Sequence, residues 1–214
     1  MMTLFDLVYW VHVSFGIATL PAGFAALFAV KGSPIHTGAG KIFLGLILVA
    51  AVTGGAFPLL PDSSSSLVFT WIALLSSLPA ISAVLAWNRG PVGKIGDGIM
   101  TVLFAASAAG AALWGDGRPE AGSVAIWFAI FVVFDIWYFA RGRPSGVPAE
   151  RRHLARMLTA FVVGAISAAT TQNAEYLPLT FDQIVRLNLI LYLCLLAYFW
   201  WRAGHRDKAV LATT

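Results

Sequence analysis

Ile126-Trp127-Phe128-Ala129-Ile130-Phe131-Val132-Val133-Phe134-Asp135-Ile136-Trp137-Tyr138-Phe139 decides the fold: apolar and aromatic side chains fill every position except Asp135. Extended to Ala121–Ala140, the run supplies the roughly 20 mostly apolar residues that a transmembrane helix needs at 1.5 Å per residue. Six further stretches qualify or nearly do: Leu4–Val30, Ile42–Leu60, Leu67–Trp87, Ile95–Trp114, Leu154–Thr171 and Ile184–Trp201. The first is long enough to tilt, and Leu154–Thr171 is short. The connections carry Gly, Pro, Ser and charges, as loops should. Ten-residue alternating segments, the mark of a membrane barrel, do not occur.

The composition agrees. Of 214 residues, 59% are hydrophobic and 11% charged, against about 25% charged in ordinary soluble domains. Mean hydropathy is +0.80. A soluble core of this size cannot hide so much apolar surface. One cysteine, Cys194, rules out a disulfide scaffold. The chain therefore reads as an all-α polytopic membrane protein, with a seven-helix transmembrane domain over 1–203 and a short basic tail over 204–214.

The basic residues orient it. Lys31, Lys41, Arg89, Lys94, Arg141, Arg143, Arg151, Arg152, Arg156, Arg202, Arg206 and Lys208 fall on the side reached after the first helix. Only Arg118 and Arg186 fall on the other. Short loops rich in Lys and Arg stay in the cytoplasm, so the N-terminus is expected outside and the C-terminus inside. Trp10, Trp71, Trp114 and Trp127 lie toward the outer ends, and Trp87, Trp137, Trp200 and Trp201 toward the inner ends, like interfacial belts. Met1-Met2-Thr3-Leu4-Phe5-Asp6 lacks a basic n-region, so the first helix is expected to be retained. The net charge of +4 reflects this topology and contact with anionic lipids at the cytoplasmic face. Nothing points to a nucleic-acid partner.

Each cytoplasmic hairpin opens with a base, a glycine and then a proline: Lys31-Gly32-Ser33-Pro34, Arg89-Gly90-Pro91 and Arg141-Gly142-Arg143-Pro144. The pattern reads as a C-cap glycine with a stop proline, the base facing the negative end of the helix dipole. Duplication of a helical hairpin is the other reading. Pro21 and Pro79 fall inside spans. Pro79 frees the carbonyl of Leu75, with Ser76, Ser77 and Ser82 near enough to bond there.

Asp135 lies about 9 Å inward from the end marked by Arg141. A charge at a helix centre costs about 2.5–3.5 kcal/mol, and somewhat less near the edge. Asp135 must therefore face the bundle, with Lys94, Arg156 or His153 as partner, in either a static ion pair or a proton or ligand site. His12, Gly16, Thr19 and Gly23 form a small, polar stripe that marks a packed helix contact, with the histidine bonded across it. His153, Met157, Ala160, Gly164, Ser167 and Thr171 form a second stripe. His36, in the first cytoplasmic loop, can meet His153 at the inner face together with Asp97 or Asp135. Two histidines with one or two carboxylates suit zinc or iron, although no H-x-x-x-H or H-E-x-x-H spacing supports a metal. On the outer side, Gln172, Asn173, Asn188 and Tyr192 can join His12 around a polar pocket. The candidate ligand-binding residues are thus His12, Asp135, His153 and Asn188, and the candidate metal ligands are His36 and His153. His12 and His153 sit toward opposite faces of a core about 30 Å thick and belong to different sites.

His12, His36-x-x-x-Gly40-Lys41, His153-x-x-Arg156-Met157 and Asn188 give the chain a resemblance to a family. It resembles a bacterial group of predicted membrane proteins catalogued as domain of unknown function twenty-three-oh-six. These motifs cover the first two helices and the last two. Family loops often place basic residues right after the first-loop histidine, where this chain has Thr37 and Gly38. The resemblance implies a multi-helix protein of the bacterial inner membrane and supplies no substrate.

Three functions compete. One is a ligand-binding or accessory protein using the buried His and Asp positions, beside a membrane-protein partner or a second copy of itself. The second is a small proton-coupled transporter, for which Pro21 and Pro79 are weak signs of broken helices. The third is a redox protein holding haem or quinone. Two haems need a histidine pair near each face, and four histidines with only His12 in the outer leaflet exclude that. A single haem on His36 and His153 remains. G-x-S-x-G, P-loop and H-E-x-x-H motifs are missing, so binding is expected rather than catalysis. A hydrolase assembled from scattered Ser, His and Asp stays open.

Overall fold

The computed structural model describes residues 2–61, 65–86, 91–114, 119–142, 145–166 and 180–211, and every regular element among them is helical. The order is α1 (Leu4–Phe28), α2 (Pro34–Ala56, prolonged by a 3-10 turn over Phe57–Leu59), α3 (Val68–Leu85) and α4 (Pro91–Trp114). Then come α5 (Pro119–Ala140), α6 (Val147–Thr159, running on as a π-helix over Ala160–Ile166) and α7 (Phe181–Leu211).

Six helical stretches are long and apolar enough to cross a membrane: Leu4–Phe28, Pro34–Leu59, Val68–Leu85, Gly93–Trp114, Ala121–Ala140 and Arg186–His205. By length and composition the chain is a multi-pass membrane protein. The remaining expected span, Leu154–Thr171, belongs to α6, which starts earlier and carries Glu150, Arg151, Arg152, His153 and Arg156 in its first turns. Residues 167–171 lie outside the described ones. α7 continues unbroken through 204–211, so the start of the expected tail prolongs that helix.

Local chemistry sets the helix starts. Thr3 and Asp6 form a reciprocal capping box at α1, with Asp6 N–H donating to Thr3 Oγ1 at 3.1 Å and Thr3 N–H to Asp6 Oδ2 at 2.9 Å. In the first loop Gly32, at φ +80°, makes the turn that Ser33 N–H closes on the Val30 carbonyl at 3.0 Å. Ser33 then caps α2, and Pro34 occupies its first turn. Pro34 and Pro91 each open a helix, which corrects the stop-proline reading at both: a missing N–H costs nothing where the helix has no partner for it. Pro144 lies outside the described residues. The C-cap role holds for Gly142, at φ +86° after α5, whereas Gly90 lies outside the described residues. Lys31 Nζ donates to the Ala26 and Leu27 carbonyls at 3.2 and 2.8 Å, as expected of a base at a helix C-terminus. Near Pro79, Ser76 and Ser77 both donate to the Ala73 carbonyl at 2.8 Å instead of to Leu75, and Ser82 serves another partner.

Successive helices from α1 to α5 pack side by side, and α6 is the centre. It lies on α3 and α7, and its π-helical end reaches α1 and α2. One apolar cluster, with Phe43, Ile47, Leu158 and Phe161, joins α1, α2, α6 and α7. A second, with Leu75, Phe104, Phe128 and Phe131, joins α3, α4 and α5. Close approach depends on glycine, as Gly23 and Gly164 show. A Cβ on Gly23 would stand 2.4 Å from the Phe161 ring, and one on Gly164 would stand 2.5 Å from Ile47 Cδ1 and 2.9 Å from Ser76 Cβ. Because Arg152 and Arg156 are turned into the bundle and buried, α6 can carry charges that lipid-facing positions could not.

Candidate functional site

Two polar clusters flank the first turns of α6. In the first, Asp97 and Asp135 are both fully buried, and the residues Arg152 and Arg156 are 3% and 2% exposed. Arg152 Nη2 lies 3.0 Å from Asp135 Oδ1 and 3.2 Å from Asp97 Oδ1. Arg156 donates to Asp135 Oδ1 through Nη2 and to Ser82 Oγ through Nη1. Thr101 Oγ1 lies 3.0 Å from Asp135 Oδ2 and 2.9 Å from the Asp97 carbonyl, so one hydroxyl proton serves two acceptors. The Arg156 guanidinium also lies over the Phe104 ring at 5.5 Å and the Phe131 ring at 6.0 Å. Two carboxylates and two guanidiniums balance, so the low-dielectric interior holds no net charge here.

Of the expected partners of Asp135, the structure selects Arg156. Lys94 is exposed, and His153 bonds elsewhere. Arg152 and Asp97 as further partners were missed. Spacing carries the signal: Arg152 and Arg156 are four apart on one helix, as are Asp97 and Thr101 on another, and each pair shares a face.

The second cluster brings His36 and His153 together, as expected, with ring centres 6.5 Å apart and planes at 70°. Nδ1 of His36 is 2.8 Å from the Ala26 carbonyl, and Nδ1 of His153 is 3.0 Å from the Ala83 carbonyl. A carbonyl only accepts, so Nδ1 carries a proton in both rings. Both rings line a cavity of about 460 Å³ together with Lys31, Lys41, Glu150 and Arg202. Three bases against one carboxylate make this an electropositive cavity.

Two imidazoles sharing one tetrahedral ion through Nε2 place their ring centres about 5 Å apart, since each nitrogen lies about 2 Å from the metal. The His36–His153 spacing of 6.5 Å is wider than that, so the rings would have to close on a shared ion. The expected carboxylate ligands do not arrive, because Asp97 and Asp135 are held by the arginines. No group of three metal-ligating side chains forms among the described residues.

The remaining candidates stand apart from one another. His12 Nδ1 bonds the Ala50 carbonyl across the α1–α2 contact at 2.8 Å, its ring edge-on to Phe57 at 5.0 Å and its back against Gly54. This is the packed contact that the stripe of small residues implied. Asn188 is buried on α7, one turn from Tyr192, whose ring meets Trp127 edge-on at 5.1 Å. Gln172 and Asn173 lie outside the described residues. His12, Asp135, His153 and Asn188 therefore do not share one site. His205 bonds the Trp201 carbonyl one turn back at 3.0 Å.

No family model, curated protein or solved structure matches the chain.

Proposed function

We propose that the chain is a multi-pass protein of the bacterial inner membrane that binds a small anionic ligand in the cavity between His36 and His153. One observation carries this reading: two imidazoles anchored through Nδ1 line a single cavity with Lys31, Lys41 and Arg202 against Glu150 alone. An anion there favours the imidazolium form of a ring, whose Nε2–H then donates to it. The resemblance to the bacterial family rests partly on the same two histidines and supports the bacterial placement. Titration calorimetry of the detergent-purified protein with phosphate, acetate and malonate tests the reading. At least one anion is expected to bind, with an affinity about tenfold lower in His153→Ala, the loss of one charge-assisted hydrogen bond.

A metal is the second reading, supported by the two imidazoles that line one cavity. Zinc binding tighter than any of these anions, and lost in both His36→Ala and His153→Ala, would put it first.

The basic helix ends support a cytoplasmic side for this cavity, on the reading that α6 completes an odd number of spans. A cytoplasmic reporter fused after Thr214 is expected to be active. Alkaline phosphatase activity from the same junction would overturn the orientation.

A further inference from the structure

α5 and α7 do not come into backbone contact, and a cleft of about 930 Å³ opens between them with α6 as its floor. Its walls are apolar, with Ile130 and Phe134 on α5 facing Leu193 and Leu196 on α7. Ile130, Phe134 and Leu193 are exposed on helices long enough to span a membrane, so the cleft opens sideways onto hydrocarbon. Its other end is charged: Arg151, Arg152 and Arg156 line it beside Tyr138, Trp200 and Trp201.

From the geometry we infer that this cleft holds one anionic phospholipid, its phosphate against Arg151 and Arg152 and an acyl chain between α5 and α7. The inference uses only the membrane-spanning character of the chain and is independent of the histidine cavity.

Length is the first argument. The lining runs from Trp127 to Tyr138 on α5 and from Tyr192 to His205 on α7, which is about 16–20 Å at 1.5 Å per residue. Half of a bilayer's hydrocarbon core is about 15 Å. The cleft therefore spans one leaflet, with its aromatic and basic end at headgroup depth.

Charge is the second. Arg152 and Arg156 are matched by Asp97 and Asp135, which leaves Arg151 as the surplus base. Arg151 reaches over to α7, lying 4.9 Å from the Trp200 ring and 3.4 Å from the Trp200 carbonyl. One surplus positive charge complements one phosphodiester.

The third is unmet hydrogen bonding. Buried N–H donors are nearly always bonded. Three have no partner among the described residues, and two of these, Arg151 Nε and Arg152 Nε, belong to residues at this end of the cleft. Both nitrogens are covered as the side chains stand, so a lipid phosphate, with several acceptor oxygens, reaches them when Arg151 and Arg152 turn toward the cleft. A second protein helix would bring apolar side chains.

Native mass spectrometry of the full chain, released from detergent after equilibration with dioleoyl phosphatidylglycerol or dioleoyl phosphatidylcholine, tests this. Phosphatidylglycerol adducts are expected to exceed phosphatidylcholine adducts about fivefold, the effect of one basic side chain on an anionic lipid. Arg151→Gln is expected to remove that preference. Ala197→Trp, which fills the apolar wall at an exposed position, is expected to remove both adducts. Equal retention of the two lipids would overturn the inference. So would phosphatidylglycerol adducts that survive Ala197→Trp, because charge at the surface alone would then explain them. Displacement by equimolar inorganic phosphate would make the site a phosphate site, and a dimer lost in Ala197→Trp would make the cleft an interface between copies.

Discussion

Asp135→Asn is expected to destabilise the folded protein by about 3–5 kcal/mol, because it leaves a buried guanidinium charge without compensation. Asp135 Oδ1 is the shared acceptor of Arg152 and Arg156, and all three residues are almost wholly buried. The loss is comparable with the entire stability of many domains, so the variant should accumulate poorly or melt far below the parent in detergent. Adding Arg156→Gln restores charge balance, and the double variant is expected to be more stable than the sum of the single losses implies. Lys94→Gln serves as the control: Lys94 is exposed, so its effect should simply add. Additivity for Arg156→Gln as well would mean that the pair does not hold the bundle together.

Gly164→Ala is expected to cost about 1–3 kcal/mol, although alanine is the better helix former. The added methyl would meet Ile47 Cδ1 at 2.5 Å and Ser76 Cβ at 2.9 Å. Ile47 can swing its terminal carbon away. Ser76 cannot, since it is 3% exposed and tied to the Ala73 carbonyl. Gly122→Ala, in α5 with nothing within 4 Å of the new carbon, should instead stabilise slightly. Thermal unfolding of the two variants side by side checks the sign of each effect.

The spans were legible because apolar length is written directly in the sequence. α6 was only half legible: Arg152 and Arg156 interrupt the apolar run, and nothing local says that such a helix is enclosed rather than exposed. Position along the helix axes was also readable, which is why Arg156 was among the partners named for Asp135 and why His36 was matched with His153. Rotation about each helix axis was not. Ile126, Val133 and Ile136 are exposed on α5 while Phe128 and Phe131 are buried, and all five are apolar. In lipid the outer face carries no polar signature, so periodicity cannot tell it from the core. For the same reason Asp97 was not assigned to Asp135's cluster, and the separation of α5 from α7 could not be foreseen. The prolines at helix starts were misread because a loop proline looks the same whether it ends one helix or begins the next.

The enclosed arginines of α6 also constrain how the protein is made. A segment holding Arg151, Arg152 and Arg156 partitions poorly into lipid on its own, at up to about 2.5–3.5 kcal/mol per arginine. Asp97 and Asp135, on α4 and α5, leave the ribosome before these arginines do. On the reading that α6 crosses the membrane, the earlier helices are expected to present the counter-charges in advance and α6 to enter by docking against them. Biogenesis is then expected to follow an order in which the fifth helix licenses the sixth, and a nascent chain lacking either acid should stall with α6 outside the bilayer.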